Sequence, residues 1–494
     1  MARKIVPDRA VLRFLERIER ERTCMHGFLI LQDGDIAAEG YWAPFTAERK
    51  HRMYSVSKSI VALAIGLLID EGKLRLADRA VGFFGDKLPE QVHPYLEQTT
   101  IRDLLMMSTP HSMNAYTRHD PDWAAAFFRM QPSHPPGTIF SYDTAATVVL
   151  NTIVERISGV PFLEYMRPRL LDAIGFSPDA WCIQTPEGAS WGGSGVICTL
   201  RDMAKLAAVC LNGGRFGGRQ LISEAYIREA TSRQIDNSVS HNDGYGYQIW
   251  MEKDGGFSFR GMGSQFAFCY PQHDFIFACI ADTQGSGPTG TGIVDAFRDE
   301  FYPYLADGAR PGEASGLAGG VRSGEESDGR LLREKIRRLH VLPQHGATAS
   351  TYAARISKRW YRLNDNPMGI SHMRFVLEGD EGVWEYANAT GEHRLRFGIG
   401  KQAEETFPET HYYGARIGTP AGRGYRCLSS AAWVEEHKLN LLVYITDDYL
   451  GTMRATFAFK GDEISVLMTK AAEWFLDEYE GFAGGRLISV RSRL

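Results

Sequence analysis

The spacing of apolar residues changes character along the chain, and each change marks an element. From Val11 to Glu21, Val, Leu, Phe, Leu and Ile recur at helical spacing. Ile60 to Ile69 is an almost unbroken apolar run, enough for about three turns of a helix buried on most sides, and Gly72 stops it. Between these, His26 to Trp42 places two apolar runs around Asp33-Gly34, the pattern of a β-hairpin. Thr100 to Met107 predicts a short helix capped by threonine. Thr144 to Ser158 predicts an amphipathic helix closed by Gly159, and Thr199 to Gly214 another with a glycine stop. Three strand-like runs follow, at Tyr245 to Met251, Phe257 to Pro271 and Asp274 to Asp282. Their short connections predict antiparallel pairing, with a helix from Ile293 to Leu305 covering the sheet.

At Ala306 this patterning ends. Up to about Gly329 the chain is Gly, Ala, Ser, Glu and Arg with scarcely an apolar anchor, the composition of a linker. From about Ser350, short alternating segments joined by Gly-Asp and Asn-Asp turns predict an antiparallel sandwich or barrel. The expected organisation is a mixed α/β (α+β) domain over 1–305, a flexible linker over 306–329, and an all-β domain over 330–494.

Composition narrows the function. The 494 residues carry Lys+Arg 55 against Asp+Glu 60, a net charge of -5 with no basic block, so neither nucleic acid nor an anionic membrane is favoured as a partner. The charged N-terminus lacks the apolar core of a signal peptide, and no later apolar run reaches membrane-spanning length, which predicts a cytoplasmic protein. The seven cysteines are odd in number and contain no Cys-x-x-Cys pair, against a disulfide framework or a zinc ribbon. The 14 histidines form no ligand cluster. Neither metal nor cofactor is implied, and the expected partner is a small molecule.

The candidate chemistry lies at the start of the most apolar helix, where Ser55-Val56-Ser57-Lys58 spells Ser-x-x-Lys. Residues three apart share a helix face, so the Ser55 hydroxyl and the Lys58 amine can meet where backbone N–H groups are still unpaired. A lysine so placed can help take the hydroxyl proton without histidine, and the Ser55 N–H faces the oxyanion that forms. Two other motifs lack their context. Gly188 to Gly192 matches Gly-x-Ser-x-Gly around Ser190, yet no βαβ series surrounds it. Gly285 to Gly290 matches Gly-x-Gly-x-x-Gly without the second parallel strand that a dinucleotide site needs.

Several separated pieces occur together and in a familiar order: SVSKSIVALAIGLLIDEGKL, TIRDLLMMST, PPGTIFSYDTAATVVLNTIVERISG, GGSGVICTLRDMAKLAAVCLNGG and FRGMGSQFAFCYP. With them the chain from about Gly27 to Leu305 resembles the serine β-lactamase and penicillin-binding-protein superfamily, on the branch of class C-like esterases and amidases that includes the 6-aminohexanoate-dimer hydrolases. The resemblance implies a helical lobe and an antiparallel sheet flanked by helices, with the site between them and often a β-barrel attached. Carried over, Ser55 is the acylated nucleophile, Lys58 its proton-handling neighbour, and Tyr142 the base and later the acid. The backbone N–H groups of Ser55 and Met262 make the oxyanion hole, and Arg260, Gly261 and Thr144 line the substrate. A cationic lysine beside the phenol is expected to favour phenolate, so that the pair shares a proton near neutral pH.

Two departures bear on the substrate. Where the β-lactamases carry Tyr-x-Asn the chain has Tyr142-Asp143-Thr144, and in place of Lys-Thr-Gly it has Arg260-Gly261. The resemblance therefore implies a serine hydrolase of a small ester or amide. The alternatives are a non-catalytic relative that binds a ligand or peptide, and a true β-lactamase or DD-peptidase.

Overall fold

The computed structural model describes residues 5–237, 243–286, 291–306, 321–408, 413–419, 422 and 424–488. They form two compact units. One comprises Met1–Ala281, Gly290–His340 and Ala415–Thr419, the other Asp282–Thr289, Val341–Gly414 and Pro420–Leu494.

In the first unit, α1 (Asp8–Arg20) buries Ala10, Val11, Phe14, Leu15 and Ile18 along one face. Strands β1 (Met25–Gln32) and β2 (Asp35–Tyr41) form the predicted hairpin, and the left-handed Asp33 (φ 52) and Gly34 (φ 79) supply the turn that matches strand twist. Helix α2 (Val56–Asp70) is buried from Val56 to Leu68, as a helix apolar all round must be. α3 (Ile101–Leu105) begins with a capping box between Thr100 and Asp103. α4 (Thr144–Ser158) is capped by the Asp143 carboxylate and ends at left-handed Gly159. α5 (Leu200–Leu211) starts with a second capping box, Thr199 with Asp202.

Next come β3 (Trp250–Met251), β4 (Phe257–Gly261), β5 (Gln265–Tyr270), β6 (Phe275–Ala281) and α6 (Thr291–Glu300). The sheet order is β2-β1-β6-β5-β4-β3, with every neighbour antiparallel. α1 and α6 cover one face: Phe14 packs edge-on to Phe277 at 5.3 Å, and Phe297 stacks on Phe268 at 4.5 Å. α5 covers the other face, where Leu200 approaches Gly27. The run Tyr245 to Met251 is not the continuous strand its pattern predicts. Gln248 adopts φ 57 and folds it into a tight loop that leaves only Trp250–Met251 in the ladder.

The expected boundaries at 305 and 330 are also corrected. A helix, α7 (Val321–Arg337), occupies the second half of the expected linker and belongs to the first unit. Leu332 and Leu339 are buried and Ile336 approaches Gly40, so a few apolar residues in a polar stretch suffice to dock it. Residues 307–320 of that linker, and 287–290 of the glycine motif, lie outside the described residues.

The second unit is a barrel. Its strands are β7 (Trp360–Leu363), β8 (His372–Glu378), β9 (Glu381–Asn388), β10 (Gly391–Ile399), β11 (Ala403–Phe407), β12 (Tyr425–Glu435), β13 (Lys438–Thr446), β14 (Leu450–Lys460), β15 (Glu463–Ala472) and β16 (Gly481–Leu487). They run in the order β10-β9-β8-β7-β16-β15-β14-β13-β12-β11. Gly398 and Ile399 of β10 pair in parallel with Ser430 and Ala431 of β12, which closes a ring and leaves β11 on its rim. Closure removes the exposed edges that an open sheet would leave. Inside, Trp384 stacks on Tyr386 at 3.9 Å, and Phe457 packs edge-on to Phe375 at 4.8 Å.

Candidate active site

Ser55 stands at the start of α2 with helical backbone angles, and Tyr54 before it is forced to φ 47. A left-handed tyrosine costs conformational energy and is held by its surroundings. Here the Arg52 guanidinium lies 4.2 Å over the Tyr54 ring and 4.8 Å over Trp191. Arg52 is itself fully buried and donates to the Ser194 carbonyl at 3.1 Å and the Ser194 hydroxyl at 3.0 Å. The segment entering the nucleophile is thus tied to the loop after Trp191.

The same loop positions Lys58. Its Nζ donates to Ser55 Oγ at 2.9 Å and to the Gly193 carbonyl at 2.6 Å, and the residue is 1% exposed. Gly193 is required by close approach, since a Cβ there would stand 2.5 Å from the Thr144 methyl. The Lys58 amine also lies 5.0 Å from the centre of the Tyr142 ring.

Tyr142 precedes α4. The residue is 37% exposed, and its hydroxyl faces Ser55. Burial pushes the phenol up to about 12, and the nearby Ser55 hydroxyl offsets part of the rise. Desolvation thus favours the neutral phenol over the phenolate at rest. The ring stacks on Trp250 at 5.5 Å, and Tyr245 and Phe140 complete an aromatic wall.

The far side of the site is the tip of the β4–β5 hairpin. A Cβ on Gly261 would meet the Met53 carbonyl oxygen at 2.4 Å, so the strand end lies directly against the residues that lead into Ser55. Met262, Gly263 and Ser264 form the turn, held by buried Gln265, which donates to the carbonyls of Met262 at 2.9 Å and Ala281 at 2.8 Å. Neither the Ser55 nor the Met262 N–H has a hydrogen-bond acceptor among the described residues. Unpaired donors are what an oxyanion hole needs.

Thr144 is present at the site, but its methyl packs on Gly193. Arg260 is not brought to Ser55. Its guanidinium pairs with Glu252 at 2.5 Å and lies 5.3 Å over Phe268, on the sheet face that carries α6, because successive strand residues point to opposite faces. Its expected contact with a substrate carboxylate is corrected accordingly. Ser190 lies in a loop, its N–H donating to Glu155 and its carbonyl accepting from Asn151, as an ordinary structural residue does.

Sequence reasoning missed three supports. Arg52 looks like any strand-end arginine until Trp191 and Ser194 are placed around it. Buried Gln248 accepts from Thr147 at 2.7 Å, donates to the Leu104 carbonyl at 2.9 Å, and through its own carbonyl holds Ser59 at 2.7 Å, so it ties α2, α3 and α4 together. Directly behind Tyr142, fully buried His111 Nδ1 stands 3.8 Å from Asp143 Oδ2. This last pair left no signal in the sequence, because Asp143 fills the unrestricted middle position of Tyr-x-Asn.

The fold and site define a β-lactamase-like hydrolase, and the chain belongs to the β-lactamase family: that family's sequence profile matches residues 19–295. A 6-aminohexanoate-dimer hydrolase of Paenarthrobacter ureafaciens is 27% identical over 286 residues, covering 52% of this chain and 72% of that protein. The crystal structure of SurE is similar in fold, with a TM-score of 0.51 at 16% identity over 87% of this chain and 94% of SurE. An octameric penicillin-binding protein homologue from Pyrococcus abyssi aligns over 97% of this chain and 99% of its own, at 15% identity and a TM-score of 0.49.

Proposed function

We propose that the protein is a serine hydrolase that cleaves a small ester or amide through an acyl-enzyme on Ser55. The observation that carries this is the buried Lys58 amine 2.9 Å from Ser55 Oγ at a helix start. Nucleophile and base within hydrogen-bond reach, with the base oriented by a third group, is the arrangement that activates a hydroxyl. The third group here is the Gly193 carbonyl.

In the acylating form the Lys58 amine is unprotonated. Ser55 Oγ bonds to the substrate carbonyl carbon as its proton passes to Lys58, and the carbonyl oxygen takes the negative charge between the N–H groups of Ser55 and Met262. Collapse of the tetrahedral intermediate breaks the bond to the leaving group. Tyr142, a neutral phenol at rest, protonates the departing oxygen or nitrogen and recovers its proton from the Lys58 ammonium. Water then attacks the acyl carbon as its proton passes to the same pair; the Ser55 Oγ–acyl bond breaks, Ser55 Oγ takes that proton, and the acid product leaves. This assigns the acid role to Tyr142 and the first base step to Lys58, because a phenol near 12 is a better donor than its conjugate base is available.

The test is turnover of p-nitrophenyl acetate. Ser55→Ala should abolish it with an unchanged thermal melt. Residual activity near wild type would remove Ser55 from the mechanism.

A further inference from the structure

The sheet face opposite the nucleophile holds a cavity of about 240 Å³, whose lining includes Glu252, Lys253, Arg260, Phe268, Val294 and Arg298. Its floor is aromatic: Phe268, Tyr270 and Phe297 are buried, and Phe297 stacks between strand rings at 4.5 Å from Phe268 and 6.2 Å from Tyr270. Its charged lining is unbalanced, three cations against the single carboxylate of Glu252. That carboxylate is committed through Oε1, which accepts from Ser258 and from Arg260 Nε and Nη2.

The cations retain unused donors. The hydrogen bonds of Arg260 engage Nε and Nη2 and leave Nη1 without a partner among the described residues. The exposed Lys253 side chain has no ion-pair or hydrogen-bond partner among the described residues. Among the described residues Arg298 has one ion pair, a 3.3 Å contact to Asp295, and it is 46% exposed. A half-buried arginine with a free N–H edge over an aromatic floor, rimmed by two further cations, matches one ligand chemistry: a carboxylate on a short apolar tail.

We propose that this cavity is a second, non-catalytic binding site for a small apolar carboxylate. The carboxylate meets Arg260, Lys253 and Arg298, and the tail lies on Phe268 and Phe297. The volume falls below the roughly 300–1,000 Å³ of drug-sized pockets, so the ligand is small. The site shares no side chain with the Ser55 machinery and stands or falls independently of the hydrolase reading.

Calorimetric titration of the full chain with 4-phenylbutyrate tests it. Binding should be one to one and weaken with added salt. It should weaken by about tenfold or more in Lys253→Ala/Arg298→Ala, two exposed positions whose loss leaves the melting temperature unchanged, and by a similar factor for the neutral 4-phenylbutanamide. Val294→Trp, which fills the cavity, should abolish it. Absence of binding, equal binding of acid and amide, or binding that survives either variant would overturn the proposal.

Discussion

Lys58 Nζ stands 2.9 Å from Ser55 Oγ and is held there by the Gly193 carbonyl, 135 residues away in sequence. With the Tyr142 hydroxyl facing the same group, the two proton carriers converge on Ser55. Lys58→Ala and Tyr142→Phe should each lower kcat/KM by about a hundredfold or more, the range for a positioned proton carrier. Steady-state kinetics on the double variant decides whether they act as one unit. A loss smaller than the product of the two is expected, and a full product would separate them.

The close approach of Gly261 to Met53 gives a sharper test of the oxyanion hole. In Gly261→Ala the added methyl would sit 2.4 Å from a backbone oxygen, so strand or nucleophile segment must shift. We expect a loss of about 1–3 kcal/mol in stability and a fall in kcat larger than any rise in KM. Wild-type melting and turnover together would mean that the strand end does not set the site.

Arg52 is predicted to matter without touching substrate. Arg52→Met keeps an apolar stem but removes the guanidinium that lies over Tyr54 and Trp191 and leaves the Ser194 carbonyl without its donor, at a cost of about 1–3 kcal/mol. Urea unfolding should show the loss, and acylation should slow because the Gly193 loop loosens around Lys58. A variant as stable and as active as wild type would contradict this.

How far the sequence discloses these relationships depends on whether they are local. The Asp33-Gly34 hairpin, the Thr100 cap and the Ser55–Lys58 spacing are set within a few residues, and all were legible. The turn at Gln248 was not, because its left-handed backbone is imposed by partners on three distant helices. Nor was the direction of Arg260: strand period two tells which residues share a face but not which face receives α6, and its partner Glu252 lies across a loop. α7 escaped for a different reason. Its stretch is polar enough to read as linker, and only docking of Leu332 and Ile336 fixes it as a helix of the first unit.

Stability should fall in mild acid. Buried His26 and His51 share a 2.8 Å hydrogen bond between ring nitrogens. Burial holds His51 down to about 4 and His26 well below the ordinary 6.5. Between those values the unfolded chain binds protons that the folded one refuses, so their contribution is complete above about 6.5 and is lost as the pH falls toward 4. For His51 alone this is on the order of 3 kcal/mol. Denaturant unfolding at pH 7 and pH 4.5, compared with His51→Asn, measures it. An equal pH dependence in both proteins would contradict the assignment.

Substrate preference follows from what the site lacks. A β-lactam is held by its carboxylate and side-chain amide, yet Arg260 is turned to Glu252 and Thr144 presents a methyl to Gly193. Esters ask less, since an alkoxide leaves more readily than an amine. Short p-nitrophenyl esters should be cleaved with a far higher kcat/KM than nitrocefin, and parity or reversal in side-by-side kinetics would overturn this preference.

The central claim is that Ser55 is the nucleophile, and covalent labelling reaches it most directly. Intact-mass and peptide analysis after treatment with a fluorophosphonate should show one adduct, on Ser55, absent from Ser55→Ala and slowed in Lys58→Ala. A folded protein that takes no adduct, or takes it on another serine such as Ser190, would contradict the account.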